Sequence, residues 1–323
     1  MPSDPPTLAT FGETLVRLSP PREDRVATAD EFAVHVGGAE SNVAATAAGL
    51  GLDAVWLSKV SVGPPGDRVV SGVRAQGVEP AVVRDDDTRQ GLYYFEDGPR
   101  PRGATVTYDR ADAAVTTATV DELPVDRVRA ADALHVSGIT PALSTTLAET
   151  TADLLAVARE AGTTVSFDPN YRSKLWSPAA ARETLTPLLD DVDVLTVAER
   201  DAREVFDREG DPAAIARELR DDLGTTVTVL TRGDEGAVAA GPDGVVDRSA
   251  IATDTVDPVG SGDALVGALL ARWLREGDLG AALADGVAAA ALARTVAGDA
   301  ISPSRADLNR VRERAGADED VER

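Results

Sequence analysis

The sequence predicts an α/β fold in which a mostly parallel central sheet is covered by helices on both faces and carries a small second β-sheet. Three observations lead there. From about residue 130 onward, short β-branched runs alternate with alanine- and leucine-rich stretches of helical period, the pattern of strands buried on both faces of a parallel sheet. Two irregular blocks, 13–36 and 90–115, fall outside that alternation and mix valines and tyrosines with charges. The 323 residues show no internal repeat, and that length suffices for one large core with an elaboration.

In chain order, Leu8–Phe11 reads as a strand, 13–36 as a block interrupted by Pro20-Pro21, and Glu40–Leu50 as a helix. The block 90–115 contains GLYYFEDG and ATVTYDR; the two blocks are expected to pair as a small antiparallel sheet. The main-sheet strands read ADALHVSG, TTVSFDPN, VDVLTVAE and TVTVLTRG, with helices at roughly 144–161, 178–190 and 212–223 between them. Ligands of such sheets collect beyond the carboxyl ends of the strands, so Ser137-Gly138, Asp168-Pro169-Asn170, Glu199 and Arg232-Gly233 should face one crevice. One domain is expected over 1–316, followed by a disordered acidic tail over 317–323.

Composition removes several function classes. There is no cysteine, and His35 and His135 are the only histidines, which excludes disulfides and thiolate chemistry and disfavours a histidine metal site. A net charge of −23 argues against a basic nucleic-acid surface. Of the 32 basic residues only Lys59 and Lys174 are lysines, against 55 acids. This arginine-for-lysine, acid-rich surface reads as adaptation to molar salt, where the Debye length shrinks to roughly 3 Å and self-repulsion is screened. With no apolar run of membrane-spanning length and no basic-then-apolar leader, a cytoplasmic protein without a membrane partner is expected.

The segment that carries chemistry is Asp257-Pro258-Val259-Gly260-Ser261-Gly262-Asp263-Ala264, which runs into the apolar helix LVGALLARWL. A glycine-rich turn before a helix leaves several backbone N–H groups free at the positive end of the helix dipole, an anion site. Asp263 would repel an anion there unless it has a chemical task, and taking a proton from an attacking hydroxyl is such a task. The alternative is an ordinary N-cap in which Asp263 or Ser261 only satisfies helix N–H groups. The chain has no GxxxxGK[ST] loop, and its Gly-Ser-Gly lies far from the first strand, so neither a Walker-type ATPase nor a Rossmann dehydrogenase fits.

Asp257–Ala264 resembles the C-terminal signature of PfkB-type, ribokinase-like carbohydrate kinases, and Gly37-Gly38-Ala39-Glu40-Ser41-Asn42-Val43-Ala44 resembles their N-terminal one. The resemblance covers nearly the whole chain. It implies a three-layer α/β/α domain with a β-sheet lid over the sugar, placed at the two irregular blocks, and it implies ATP and Mg²⁺. It also implies Asp263 as catalytic base with Gly260, Ser261 and Gly262 as anion hole. Nucleotide contacts are implied for Asn170, Thr231, Arg232, Gly233, Gly236, Gly260 and Gly262; the loop Thr231–Ala237 otherwise reads as a hairpin turn into GAVAAG. Where the family has Asn-x-x-Glu this chain has Thr196-Val197-Ala198-Glu199. Glu199 can order metal-bound water there, or simply begin a helix.

Neutral-sugar kinases of this class place an aspartate in the first lid strand, and this chain has Gly12-Glu13-Thr14-Leu15-Val16-Arg17 instead. Arginine forks and tyrosine hydroxyls suit a carboxylate. Gly-Gly-Ala-Glu-Ser-Asn, Gly-Leu-Tyr, Tyr-x-Arg and Asp-Pro-Asn-x-Arg together resemble 2-keto-3-deoxygluconate kinases. The resemblance implies a sugar-acid substrate held by Gly37, Gly38, Ser41, Asn42, Tyr93, Tyr108, Arg110 and Arg172, with Asp299 as a hydroxyl ligand. Structural alternatives stand beside these roles: lid packing for Tyr93, an ion pair for Arg110 and Arg172, a helix terminus for Asp299. A fructokinase and a non-catalytic sugar- or nucleotide-binding regulator are the competing functions. An exposed edge of the small sheet would favour a homo-oligomer. If Asp263 is the base, Asp263→Asn lowers turnover by orders of magnitude and leaves ATP affinity largely intact, as steady-state kinetics with a binding titration would show; equal loss of both marks a structural aspartate.

Overall fold

A computed structural model describes residues 4–99 and 101–321. In chain order the strands are β1 (Thr7–Phe11), β2 (Leu15–Ser19), β3 (Ala33–Gly37), β4 (Asp53–Ser61), β5 (Glu79–Asp85), β6 (Leu92–Gly98) and β7 (Gly103–Asp109). Then follow β8 (Ala133–Ser137), β9 (Thr164–Asp168), β10 (Val194–Ala198), β11 (Val227–Thr231), β12 (Ala237–Gly241) and β13 (Gly244–Arg248). Nine of them form one sheet in the order β13-β12-β11-β10-β9-β8-β1-β4-β5. All its pairs are parallel except β11 with β12 and β12 with β13.

Side-chain alternation along the strands builds a core on each face, because successive residues point to opposite sides. Ala9, Phe11, Leu134, Val136, Phe167 and Leu230 join one cluster. Leu8, Ala133, Val227 and Val229 join the other, against the helices Ala39–Gly49, Ser261–Glu276 and Leu279–Ala293. Strands buried on both faces read as continuous apolar runs, which is why β8 to β11 were legible. The first unit was less so: β4, the helix Pro64–Ala75 and β5 extend the parallel sheet into a region where the sequence reading placed no strand.

The direction of winding reverses between β1 and β8. From β1 the chain proceeds outward through β4 and β5, and from β8 the other way through β9, β10 and β11. The carboxyl ends of β1 and β8 therefore splay a crevice at the reversal, where open α/β sheets bind ligands. Glu13 and Ile139 line it, whereas Ser137-Gly138, expected there, do not, because the Ser137 N–H and hydroxyl are spent on the buried Glu40 carboxylate.

The remaining strands form a separate sheet in the order β3-β2-β6-β7, drawn from the two irregular blocks. It is not purely antiparallel as expected. Each block is an antiparallel hairpin, but the two meet through β2 and β6, which run parallel, with Arg17 opposite Tyr93. The long excursion through β4, the helix Pro64–Ala75 and β5 returns the chain to the same end of the sheet, so these strands start alike.

The tail also differs from expectation. The helix Arg305–Val321 continues through residues 317–321; Ala317 and Glu319 are helix-favouring residues, which a reading of charge alone as disorder overlooks. Residues 322 and 323 lie outside the described residues. Among the described residues no helix is long and apolar enough to cross a membrane.

Candidate active site

The crevice holds a cavity of about 400 Å³ between the two sheets, floored by the start of the helix Ser261–Glu276. Gly260 precedes that helix with φ 76°, a left-handed conformation that glycine adopts without strain. A Cβ there would run into the main-chain carbonyl of Asp299. The helix has no side-chain cap, and its first backbone bond is Ala264 N–H to Gly260 C=O at 2.9 Å. Among the described residues the N–H groups of Ser261, Gly262 and Asp263 meet no acceptor. They form the positive end of a 16-residue helix. Ser261 turns its hydroxyl back to Pro258 C=O at 3.0 Å, so its amide, not its side chain, faces the cavity's anion position. The N-cap alternative is thereby set aside.

Asp263 stands in the first turn of that helix and lines the cavity. Its carboxylate accepts from Asn42 Nδ2 at 2.7 Å. Burial pushes its pKa up to about 6, against the pull of the Asn42 bond and of Arg172, and with help from Glu40 and Asp299. Asn42, expected to touch substrate, does line the cavity; its amide nitrogen also holds the carboxylate, and its Oδ1 accepts from Gly38 N–H at 3.3 Å. Ser41 is structural: it is buried, accepts from Thr14 Oγ1 at 2.8 Å and donates to Gly38 C=O at 3.1 Å, and it does not line the cavity. Gly37 and Gly38 do line it. A Cβ on Gly37 would strike the Asp299 carboxylate.

The next strand ends add acids and one arginine. Asn170 has φ 43°, a rare conformation for a residue with a Cβ, held by its N–H on Asp168 Oδ1 at 2.9 Å. Burial, then the neighbouring Asp201 and Asp263, raise the Asp168 pKa to about 8. Arg172 donates only to the carbonyls of Asn170 at 3.3 Å and Tyr171 at 3.1 Å. No carboxylate pairs with it among the described residues, so its charge remains for a ligand in the cavity it lines.

Arg110 is different. It stacks 5.0 Å from the Tyr108 ring centroid and forms a close ion pair with buried Glu13, the alternative raised for it from sequence. Neither Glu13 oxygen has a well-formed hydrogen bond; burial raises its pKa and Arg110 opposes the rise. Glu13 lines the cavity and was missed as a site residue, although its place directly after β1 at the winding reversal is a usable signal. Tyr93 and Tyr108 pack with ring centroids 5.8 Å apart and line the cavity. The Tyr93 hydroxyl donates to Asp299, whose other oxygen accepts from Arg17 at 2.5 Å. Asp299 thus reaches the cavity with both oxygens already engaged, which a free hydroxyl ligand would not be.

A second cavity of about 180 Å³ adjoins the first through Thr231, Ser261 and Gly262. Its walls are Gly233, Gly236, Ala250, Ile251, Leu265, Val287, Ala290, Ala291 and Arg294, a slot suited to a flat ring system. No local pattern marks its apolar wall, which comes from one loop and two helices. The loop after β11 is indeed a hairpin turn, with Arg232 N–H on Gly236 C=O at 2.8 Å, and it lines this slot as well. Arg232 is not in either cavity: it pairs with Asp247 at 2.5 Å. With Glu199 it borders a surface depression that shares Thr231 with both cavities, where Glu199 pairs with Arg203 at 2.5 Å. Thr196 Oγ1 is buried without a partner. The three-acid cluster Asp85–Asp87 lies apart from both cavities.

An acceptor-free turn of amides with a carboxylate of raised pKa at its edge, opening on one side to a polar cavity and on the other to an apolar slot, is built for phosphoryl transfer to an alcohol. Residues 6–306 match the pfkB family of carbohydrate kinases. The 2-dehydro-3-deoxygalactonokinase of Haloferax volcanii is 52% identical over 94% of this chain and 96% of its own length. The 2-dehydro-3-deoxygluconokinase of Thermoproteus tenax is 31% identical over 91% and 90%. The crystal structure of 2-dehydro-3-deoxygluconokinase from Thermotoga maritima superposes with a TM-score of 0.89 at 32% identity, covering 96% of this chain and 98% of that one. The protein belongs to the pfkB family and is a carbohydrate kinase.

Asn42 stabilises the ionised form of Asp263. Asn42→Ala should therefore raise the Asp263 pKa further above its ordinary value, and the acid limb of the pH–rate profile should move to higher pH by about one unit. An unmoved limb contradicts the assignment.

Proposed function

We propose that the protein transfers the γ-phosphoryl group of ATP to the terminal hydroxyl of a 2-keto-3-deoxy sugar acid, producing the 6-phosphate. The 2-keto-3-deoxygalactonate and 2-keto-3-deoxygluconate epimers are its substrates. The single observation that carries the reading is the pairing of Asp263 with backbone N–H groups that have no acceptor of their own. The named relatives support the substrate class.

Asp263 accepts the proton of the terminal hydroxyl as that oxygen bonds to the γ-phosphorus and the bond to the β-phosphate oxygen breaks, releasing ADP. A pKa of about 6 leaves the carboxylate ionised at neutral pH yet more basic than an ordinary aspartate, as general-base catalysis favours. The amides of Ser261, Gly262 and Asp263 stabilise charge on the transferring group. Arg172 binds the substrate carboxylate, being the unpaired arginine of the cavity, and Arg110, partly neutralised by Glu13, orients rather than attracts it. The Glu13 oxygens face sugar hydroxyls as acceptors.

The apolar slot receives the adenine and the loop residues Thr231, Gly233 and Gly236 flank the phosphates. The donors present fit Mg²⁺, since Asp168 and Asp201 line the cavity beside the amide cradle, and an ion that keeps most of its water needs few direct ligands. When bound there it would neutralise the charge that develops on the transferring group.

A coupled ADP-release assay at molar KCl, with ATP and Mg²⁺, tests the reading. Either sugar acid should exceed fructose in kcat/KM by roughly 100-fold or more, because a neutral sugar leaves Arg172 without its anion. Equal turnover of fructose, or none of either acid, overturns it.

A further inference from the structure

We propose that Arg17 is a positioning residue that ties the small sheet to the amide cradle, holding the cradle in its working shape through two buried carboxylates. The inference rests on the kinase reading above and concerns a residue outside the reacting groups. Arg17 lies on β2 and is only 3% exposed. Its two terminal nitrogens reach Asp257 Oδ2 and Asp299 Oδ1, each at 2.5 Å. Its Nε donates to Ser19 Oγ at 2.8 Å, and its guanidinium lies 4.1 Å from the Phe95 ring centroid on β6. The fork is thus fixed by the small sheet at one end and spent on two acids at the other.

Both acids belong to the cradle. Asp257 opens the turn: its Oδ1 accepts from Val259 N–H at 3.0 Å, and its Oδ2 also accepts from Gly298 N–H at 3.2 Å. Asp299 sets the carbonyl that packs on Gly260, where no Cβ fits, and its second oxygen takes the Tyr93 hydroxyl from β6. One cation therefore spans the two segments that shape Gly260, and two strands of the small sheet supply its neighbours. Remove it, and two carboxylates remain buried with no counter-charge between them, a costly arrangement that they can relieve only by moving apart or taking up protons. Either response displaces the Gly260 turn. A shift of about 1 Å in a positioned group costs roughly 100-fold in rate. A lysine supplies one point charge and cannot bridge both acids as a planar fork does.

The test compares Arg17→Lys and Arg17→Ala with the unmodified enzyme, using whichever sugar that enzyme phosphorylates, so that a wrong substrate assignment is seen separately in the control. Arg17→Lys should lose roughly 100-fold in kcat while its KM for ATP stays nearly unchanged. Arg17→Ala should regain part of its kcat with millimolar guanidinium ion and none with urea at the same concentration. Wild-type kcat in Arg17→Lys overturns the proposal. So does a loss shared equally by kcat and both KM values, or a failure of guanidinium to restore a folded Arg17→Ala. Should Arg17→Ala not fold, the kcat-against-KM split in Arg17→Lys decides alone, in the same directions.

Discussion

A carboxylate drawn out of water next to main-chain N–H groups that lack acceptors is the constraint on which the structure turns. Left alone, a buried aspartate beside an anion site would protonate or repel its ligand. Here the opposing forces are balanced: burial lifts the Asp263 pKa, and the Asn42 amide and Arg172 restrain the rise. Asn42 belongs to the first helix, far from Asp263 in sequence, and the packing of Ala39–Gly49 against Ser261–Glu276 brings the two to 2.7 Å. The apolar core under these helices therefore holds Asn42 against Asp263.

Charge distribution sharpens the substrate problem. A chain of net charge −23 disfavours an anionic substrate at long range, though high salt screens that field. Most arginines of the structure are committed to carboxylates: Arg110 to Glu13, Arg232 to Asp247, and Arg17 to Asp257 and Asp299. Arg172 is held by carbonyls only, so the cavity keeps a local cation where the rest of the surface is acidic.

The turn with its free amides was legible in the sequence because it is local. Gly260 to Asp263 are contiguous, and a turn-to-helix junction dictates free amides whatever the rest of the chain does; the strands from β8 to β11 announce themselves because burial on both faces leaves unbroken apolar runs. What depends on long-range pairing was not legible. The parallel union of β2 with β6, the commitment of Arg110 to Glu13, and the engagement of Asp299 by Arg17 and Tyr93 each join segments whose proximity no local pattern encodes. Asn42 and Ser41 sit in a recognisable motif, yet motif membership does not say whether a side chain faces the ligand or braces what does. The apolar slot was invisible for the same reason, since Ile251, Leu265 and Val287 are ordinary core residues until the fold gathers them.

The most direct measurement is a titration of the Asp263 carboxyl itself, by carbon-13 NMR of aspartate-labelled enzyme with Asp263→Asn identifying the resonance. The midpoint should lie near 6 rather than at the ordinary 3.8. A midpoint at the ordinary value would mean a solvated side chain with no raised basicity, and the account of the base would fail.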